Sequence, residues 1–403
     1  MPGRAGGSQV QILPRCPAWF GRKAIGMTTS TAPEVRLLAS PGTWIDDEAV
    51  RQLYACARLA GMRQITGLPA LHPGKGYPTG AAFVTEDVIY PTLIGADIGC
   101  GLALFKTDLA RRRIDLDRWA EVRFELEHPW HEDVGEVIAA SELESTAFDE
   151  GLGTLGGGGH FVELQALEQV HDRMAAAQLG LDRSELLLLV HSGSHRLGQA
   201  IFEDHVEQHG ARGLAADSDA ATRYLLEHDR AVRWAQVSRG LLARRFLGDL
   251  QAIGECLLDA AHNRLGCRQD ASGTLWIHRR GAVAAEGPVV IAGTRGTFTY
   301  LVKPHQATLE HAWSLVPGAG RKWSRTESRA RMRERFHRAE LEETGLGSRV
   351  LCSDRDLLYE EAPGAYKNIE MIIADLAAAG LLSVIATLRP VLTYKTRRSH
   401  RCW

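Results

Sequence analysis

Apolar positions in this chain fall into short runs separated by glycine-rich turns, and the spacing within each run sets the element expected. Residues 46–60 (DDEAVRQLYACARLA) open on acidic residues and close at Gly61, which predicts a helix. Residues 91–105 (PTLIGADIGCGLALF) read as two strand-like apolar runs bracketing a tight turn from Gly95 to Gly101. Leu186–Val190 is a five-residue apolar run, expected as a buried strand ending in His191-Ser192-Gly193-Ser194-His195. Across residues 229–262, Trp234, Val237, Leu241, Leu242 and Phe246 share one face, so a long helix is predicted up to His262-Asn263. Residues 151–165 (GLGTLGGGGHFVELQ) read as a glycine-rich turn feeding a helix near His160, and residues 67–80 as a turn-rich loop carrying Lys75. Residues 288–302 predict strand, turn, strand; a helix from about Lys367 and a buried strand Leu382–Leu388 follow. These periods alone give a mixed α/β chain without internal repeats or a long linker.

Composition narrows the class. With 403 residues, 45% of them hydrophobic and 24% charged, the chain can build one large core, and its 41 glycines cluster as functional loops do. A formal net charge of −2 excludes global attraction to nucleic acid, so an RNA partner needs a local basic surface. The best candidate is Arg321–Arg338 (RKWSRTESRARMRERFHR), which equally fits a solvated charged helix. Seven scattered cysteines without a CxxC pair form no disulfide framework and point to a reducing cytoplasm. No apolar run reaches the ~20 residues of a membrane span. Residues 1–26 lack the apolar segment of a signal peptide and are expected as a disordered leader, with Met27 an alternative start. Residues 397–403 form a basic tail.

Candidate chemistry gathers at corners. Asp97 and Cys100 share a glycine-flanked turn, where backbone bends sharply and donors can converge on one ion. Taken alone, that turn also fits a buried free cysteine with a turn-stabilising aspartate. His160, His191 and His262 each stand at a glycine-rich turn or an element's end. Together the five donors suit two metal ions sharing a bridging thiolate, and the mixed set fits manganese, zinc or iron, with the carboxylate leaning toward manganese. Paired ions of this kind serve phosphoryl chemistry.

Ten ordered stretches then carry a specific likeness: GLPALHPGKGYPTG, GADIGCG, GTLGGGGHFVELQ, HSGSHRLG, AAHN, IHRRGA, IAGTRGTFTY, PGAGRKWSR, APGAYKNIE and LRPVLTYK. From Gly67 to Lys395 the chain resembles the RtcB family of RNA ligases, in the shorter bacterial branch coupled to peptide-release-factor homologues. The resemblance implies an α+β fold in which mixed sheets and helices, over residues 27–396, surround a central dinuclear metal cleft. It further implies a ligase that uses GTP and two manganese ions to join RNA 3′-phosphate or 2′,3′-cyclic phosphate ends to 5′-hydroxyl ends. In that family a histidine is guanylylated, GMP passes to the RNA 3′-phosphate, and the 5′-hydroxyl displaces it. Carried over by motif, one manganese falls to Asp97, Cys100 and His160, the other to Cys100, His191 and His262. GTP falls to Phe161, Glu163, Asn263, Gly293, Thr294, Arg295, Thr299, Gly318, Ala319, Gly320 and Lys395.

Four departures cut across that likeness. The family's His-Gly-Ala-Gly-Arg reads Pro317-Gly318-Ala319-Gly320-Arg321 here, and proline offers neither a nucleophilic atom nor a backbone N–H. His311, six residues upstream, replaces it only if the loop shifts considerably. Gly159 stands where the family has asparagine, His195 where it has arginine, and Ser238 where it has asparagine. The expected function is therefore an RtcB-like ligase of doubtful activity. The alternatives are an impaired paralogue that binds manganese, guanine nucleotide or RNA ends, and a metal-dependent phosphoesterase.

Overall fold

Two large mixed sheets organise the computed structural model, which describes residues 32–130, 134–271 and 273–396. The expectations for residues 1–26 and 397–403 lie outside the described residues. The smaller sheet runs, in spatial order, Glu34–Leu37, Met62–His72, Thr79–Glu86, Gly273–Arg280, Asn263–Asp270. The larger runs Val289–Ile291, Thr299–Pro304, Leu382–Thr396, Phe161–Val170, Glu185–Ser192, Gly101–Ala110, Gly254–Ala261, with Arg349–Cys352 parallel beside the long Leu382–Thr396 strand. Helices and sheets thus mix in an α+β arrangement.

Local chemistry accounts for the elements and for the expectations that failed. The helix Asp47–Ala55 is capped by Asp46, whose side chain accepts from the Glu48 N–H at 2.8 Å, and the chain turns out at Gly61 with φ +69. The lead-in Pro91–Ile94 is a short helical turn, not a strand: proline sits at its first position and Gly95, at φ +88, ends it. No helix starts near His160. Phe161–Val170 is a strand, because neighbours pair on both of its edges and both of its faces are covered. The helix predicted to reach His262 instead spans Asp219–Asp249; Gln251, at φ +56, redirects the chain into the strand Gly254–Ala261. Most of the loop expected at residues 67–80 is strand, and Lys75 is exposed at what remains of it.

Core packing fixes the larger sheet in place. The long helix lays Leu242, Ala243, Phe246 and Leu247 against Val162, Leu164, Leu188 and Val190, all buried. Phe124 stacks on Phe246 with ring centroids 4.5 Å apart, and Tyr394 meets Phe124 edge-on.

Candidate metal centre

Strand register brings the predicted donors to one end of the larger sheet. Phe161 pairs with His191, Leu102 with His191, Gly101 with Ser192, and Gly101 with Ala261. Antiparallel pairing therefore aligns the starts of two strands with the ends of two others. Cys100 and His160 immediately precede their strands, His191 lies near the end of its own, and His262 immediately follows one.

At that edge the side chains converge. Cys100 Sγ lies 3.4 Å from His160 Nε2 and 3.3 Å from His191 Nε2. His160 Nε2 is 3.1 Å from Asp97 Oδ2, and the His191 and His262 rings lie 5.1 Å apart. Among the described residues, Cys100, His160 and His191 form the triad whose donor atoms all fall within 4.8 Å of one another. Asp97 adjoins it on the His160 side and His262 on the His191 side.

Whether this set suits a cation can be judged from its unpaired atoms. Asp97 Oδ1, His160 Nδ1 and His262 Nδ1 are buried without a hydrogen-bond partner among the described residues, a cost of roughly 1–3 kcal/mol each when nothing compensates. Burial pushes the Cys100 thiol well above its ordinary pKa, and the neighbouring Asp97 carboxylate pushes it further. Burial also drives His191 far below the usual imidazole range and His262 down to about 3, so both rings are neutral. For Asp97, burial works to raise the pKa, but the hydrogen bond and charge of His160 hold the carboxyl below its ordinary value. Neutral imidazoles, a carboxylate and a thiol that ionises on metal binding are the donors a divalent transition ion takes.

Backbone geometry leaves little freedom here. A Cβ on Gly193 would overlap the Asp97 carboxylate. A Cβ on Gly99, itself at φ +75, would stand 2.9 Å from Val232 Cα of the long helix.

Arg239, fully buried on that helix, ties the two donor-bearing turns together. Its Nη1 donates to Gly99 O at 2.7 Å and to Ser192 O at 2.9 Å, while Nε and Nη2 grip Asp259. Ser238, beside it, accepts from Gly153 N at 3.1 Å and braces the glycine-rich turn. The sequence places Ser238 and Arg239 side by side on the long helix without showing either bracing role. The signal for Arg239 is an arginine set among the buried apolar positions of that helix.

The residues assigned to nucleotide form two groups. Lys395 Nζ lies 5.7 Å from the Phe161 ring centroid, and Phe161 in turn meets His191 edge-on at 5.4 Å, so one aromatic ring separates this lysine from the donor triad. Glu163 accepts from Thr393 and Gln165, and burial raises it to about 7. Arg295 donates to Leu358 O, with Nε and Nη1 buried and unpaired among the described residues. Thr299 Oγ1 accepts from Gly293 N at 3.2 Å, and Thr294 closes the same turn through Thr297. Asn263 is turned elsewhere: its amide joins Asp97 O to Gly281 N and so holds the aspartate turn. Glu361, which sequence reading passed over, is the hub of this charged region, meeting Arg321, Arg325, Tyr366 and Lys395. Those partners hold its carboxyl far down against the penalty of burial.

The Pro317 turn keeps its backbone scaffold. Pro317 O accepts from Ala292 N at 2.9 Å, Ala319 N donates to Ala292 O at 3.2 Å, and Gly320 takes φ +73 against Ala70. His311 is no loose substitute: its Nε2 accepts from Thr308 N at 2.8 Å, its Nδ1 lies 3.3 Å from Ser314 O, and the ring is buried. His195 holds Ser192 Oγ at 2.9 Å, its ring 5.2 Å from that of His160, and its backbone at φ +50.

Among the described residues, no helix is long and apolar enough to cross a membrane. The family model described as tRNA-splicing ligase RtcB matches residues 52–149 and 131–396. The RNA-splicing ligase RtcB2 of Escherichia coli is 43% identical over 361 residues, covering 89% of this chain and 94% of that protein. The tRNA-splicing ligases RtcB of Archaeoglobus fulgidus and Aeropyrum pernix are 27% and 26% identical, each covering 86% of this chain and 91% of the relative. With the family model spanning most of the chain and a relative this similar over nearly its whole length, the chain belongs to the RtcB family of RNA ligases.

Proposed function

We propose that this chain is an RtcB-type ligase by descent that binds two manganese ions, GTP and RNA ends, and that Pro317 blocks formation of the histidine–GMP adduct. One contrast supports this reading: Cys100, His160 and His191 converge within 4.8 Å, while the turn that would carry the nucleophile presents a proline. In the two-ion partition, Asp97, Cys100 and His160 hold one manganese and Cys100, His191 and His262 the other. Bound metal would polarise the phosphorus centre and stabilise the attacking and leaving oxygens. The chain's own part is to bring donors to one edge and to hold the nucleotide between Phe161, Lys395 and the Gly318–Gly320 turn.

The test is incubation with labelled GTP and manganese, followed by detection of acid-labile, protein-bound GMP. Wild type is expected to carry none, and Pro317→His to acquire it. A stable adduct on the wild-type protein overturns the block. Failure of the histidine variant to gain one places further lesions at Gly159 and His195.

A further inference from the structure

The basic helix Arg325–Arg335 has two sides with different fates. Arg325, Arg329 and Arg333, four residues apart, turn toward Asp356, Glu360 and Glu361; Arg329 meets Asp356 at 2.9 Å and Arg325 meets Glu361 at 2.7 Å. Their charge is balanced at the surface by those carboxylates. Arg331 faces away from those carboxylates, with its Cζ 4.8 Å from the centroid of the Trp323 ring, and Lys322 Nζ lies 5.9 Å from the same centroid. Neither cation makes an ion pair among the described residues, and Arg331 is exposed.

The indole is anchored. Trp323 packs its inner side on the core cluster that includes Met332 and Leu358, and its carbonyl accepts from Arg321 Nε at 3.2 Å. Two residues further on, the Arg325 guanidinium reaches the turn before His160, where a Cβ on Gly158 would stand 3.2 Å from Nη2. A short path therefore runs from Trp323 through Arg325 and the Gly158-Gly159 backbone to His160 and Cys100.

We propose that Trp323, Arg331 and Lys322 form a stacking platform for an unpaired nucleotide of the RNA strand whose end reaches the metal centre. The inference rests on the RNA-end reading above and specifies where the strand is held. The Arg331 guanidinium, laid on the anchored indole, offers a flat surface to any base, and Arg331 and Lys322 offer charge to the flanking phosphates. Recognition of this kind tolerates any sequence but requires a base and a single strand.

The test is fluorescence anisotropy with a labelled single-stranded RNA bearing a 3′-phosphate, the same strand made abasic near that end, and a blunt duplex bearing a 3′-phosphate. Trp323→Ala is expected to weaken single-strand binding about tenfold, and Trp323→Phe to retain most of it. Arg331→Ala, a surface change that spares the fold, is expected to weaken the same complex and to lower its salt slope by roughly 0.7. The abasic strand is expected to bind wild type and Trp323→Ala alike. Undiminished single-strand binding by both Trp323→Ala and Arg331→Ala overturns the platform alone. Absence of binding by wild type to every RNA overturns the RNA-end reading and the platform with it.

Discussion

The donor edge and the Pro317 turn are held together in opposite ways. At the donor edge the side chains carry the chemistry and the backbone aims them: register, Gly99, Gly193 and the Arg239 clamp bring Cys100, His160 and His191 together, with Asp97 and His262 beside them. At the Pro317 turn the backbone is held by its bonds to Ala292 and its approach to Ala70, and position 317 presents a proline. Main-chain hydrogen bonds do not depend on which side chain a position carries, so a turn can keep its shape after losing its chemistry. A ligand cluster cannot, because each donor is a side chain. On the reading proposed above, binding and covalent transfer are separable in this architecture.

The comparison can be broken most directly at its centre. Cys100→Ala is expected to reduce bound manganese, measured by elemental analysis of the dialysed protein, from two ions toward none, whereas Pro317→His leaves the metal content unchanged. Equal metal content in Cys100→Ala and wild type would sink the shared-thiolate assignment. Next in size is the clamp. Arg239→Met leaves Asp259 buried and unpaired and two carbonyls without their donor, and a loss of about 3–5 kcal/mol in urea unfolding is expected. A loss below about 1 kcal/mol would show that the two turns hold themselves.

A smaller effect should appear in pH dependence. Burial raises Glu163 to about 7, above the ordinary glutamate value, so the folded state binds this proton more tightly than the unfolded state does. Its contribution is present below the unfolded value and is lost as pH rises through about 7. Glu163→Gln removes that titration. The wild-type stability relative to this variant is therefore expected to fall between pH 5 and pH 8 in parallel urea titrations, and a flat difference contradicts the burial argument. Smallest is a control far from both regions: Asp46→Ala removes a helix cap and should cost about 1 kcal/mol without altering metal content.

Much of the donor edge was legible because its residues are chemically conspicuous. An aspartate, a cysteine and three histidines at glycine-rich corners stand out in any reading. Their convergence was not legible from periodicity, since strand register over long sequence separations is set by tertiary pairing, and the ordered motif likeness supplied it instead. The strands at Phe161–Val170 and Gly254–Ala261 were mistaken for helix for the same reason: edges paired in three dimensions outweigh local pattern. The basic stretch 321–338 was half legible. Its arginines were plain, but which of them meet Asp356, Glu360 and Glu361 depends on a helix that begins only at Arg355.

The Arg239 clamp has a consequence for ion selection. Because Gly99 O and Ser192 O both accept from one buried guanidinium, protein contacts set the spacing of the two turns that carry Cys100 and His191. Thiolate and imidazole donors follow the general order in which zinc and copper outbid manganese. Metal content is therefore expected to follow what the surroundings supply, and exchange under controlled metal is the step that decides which chemistry is being measured.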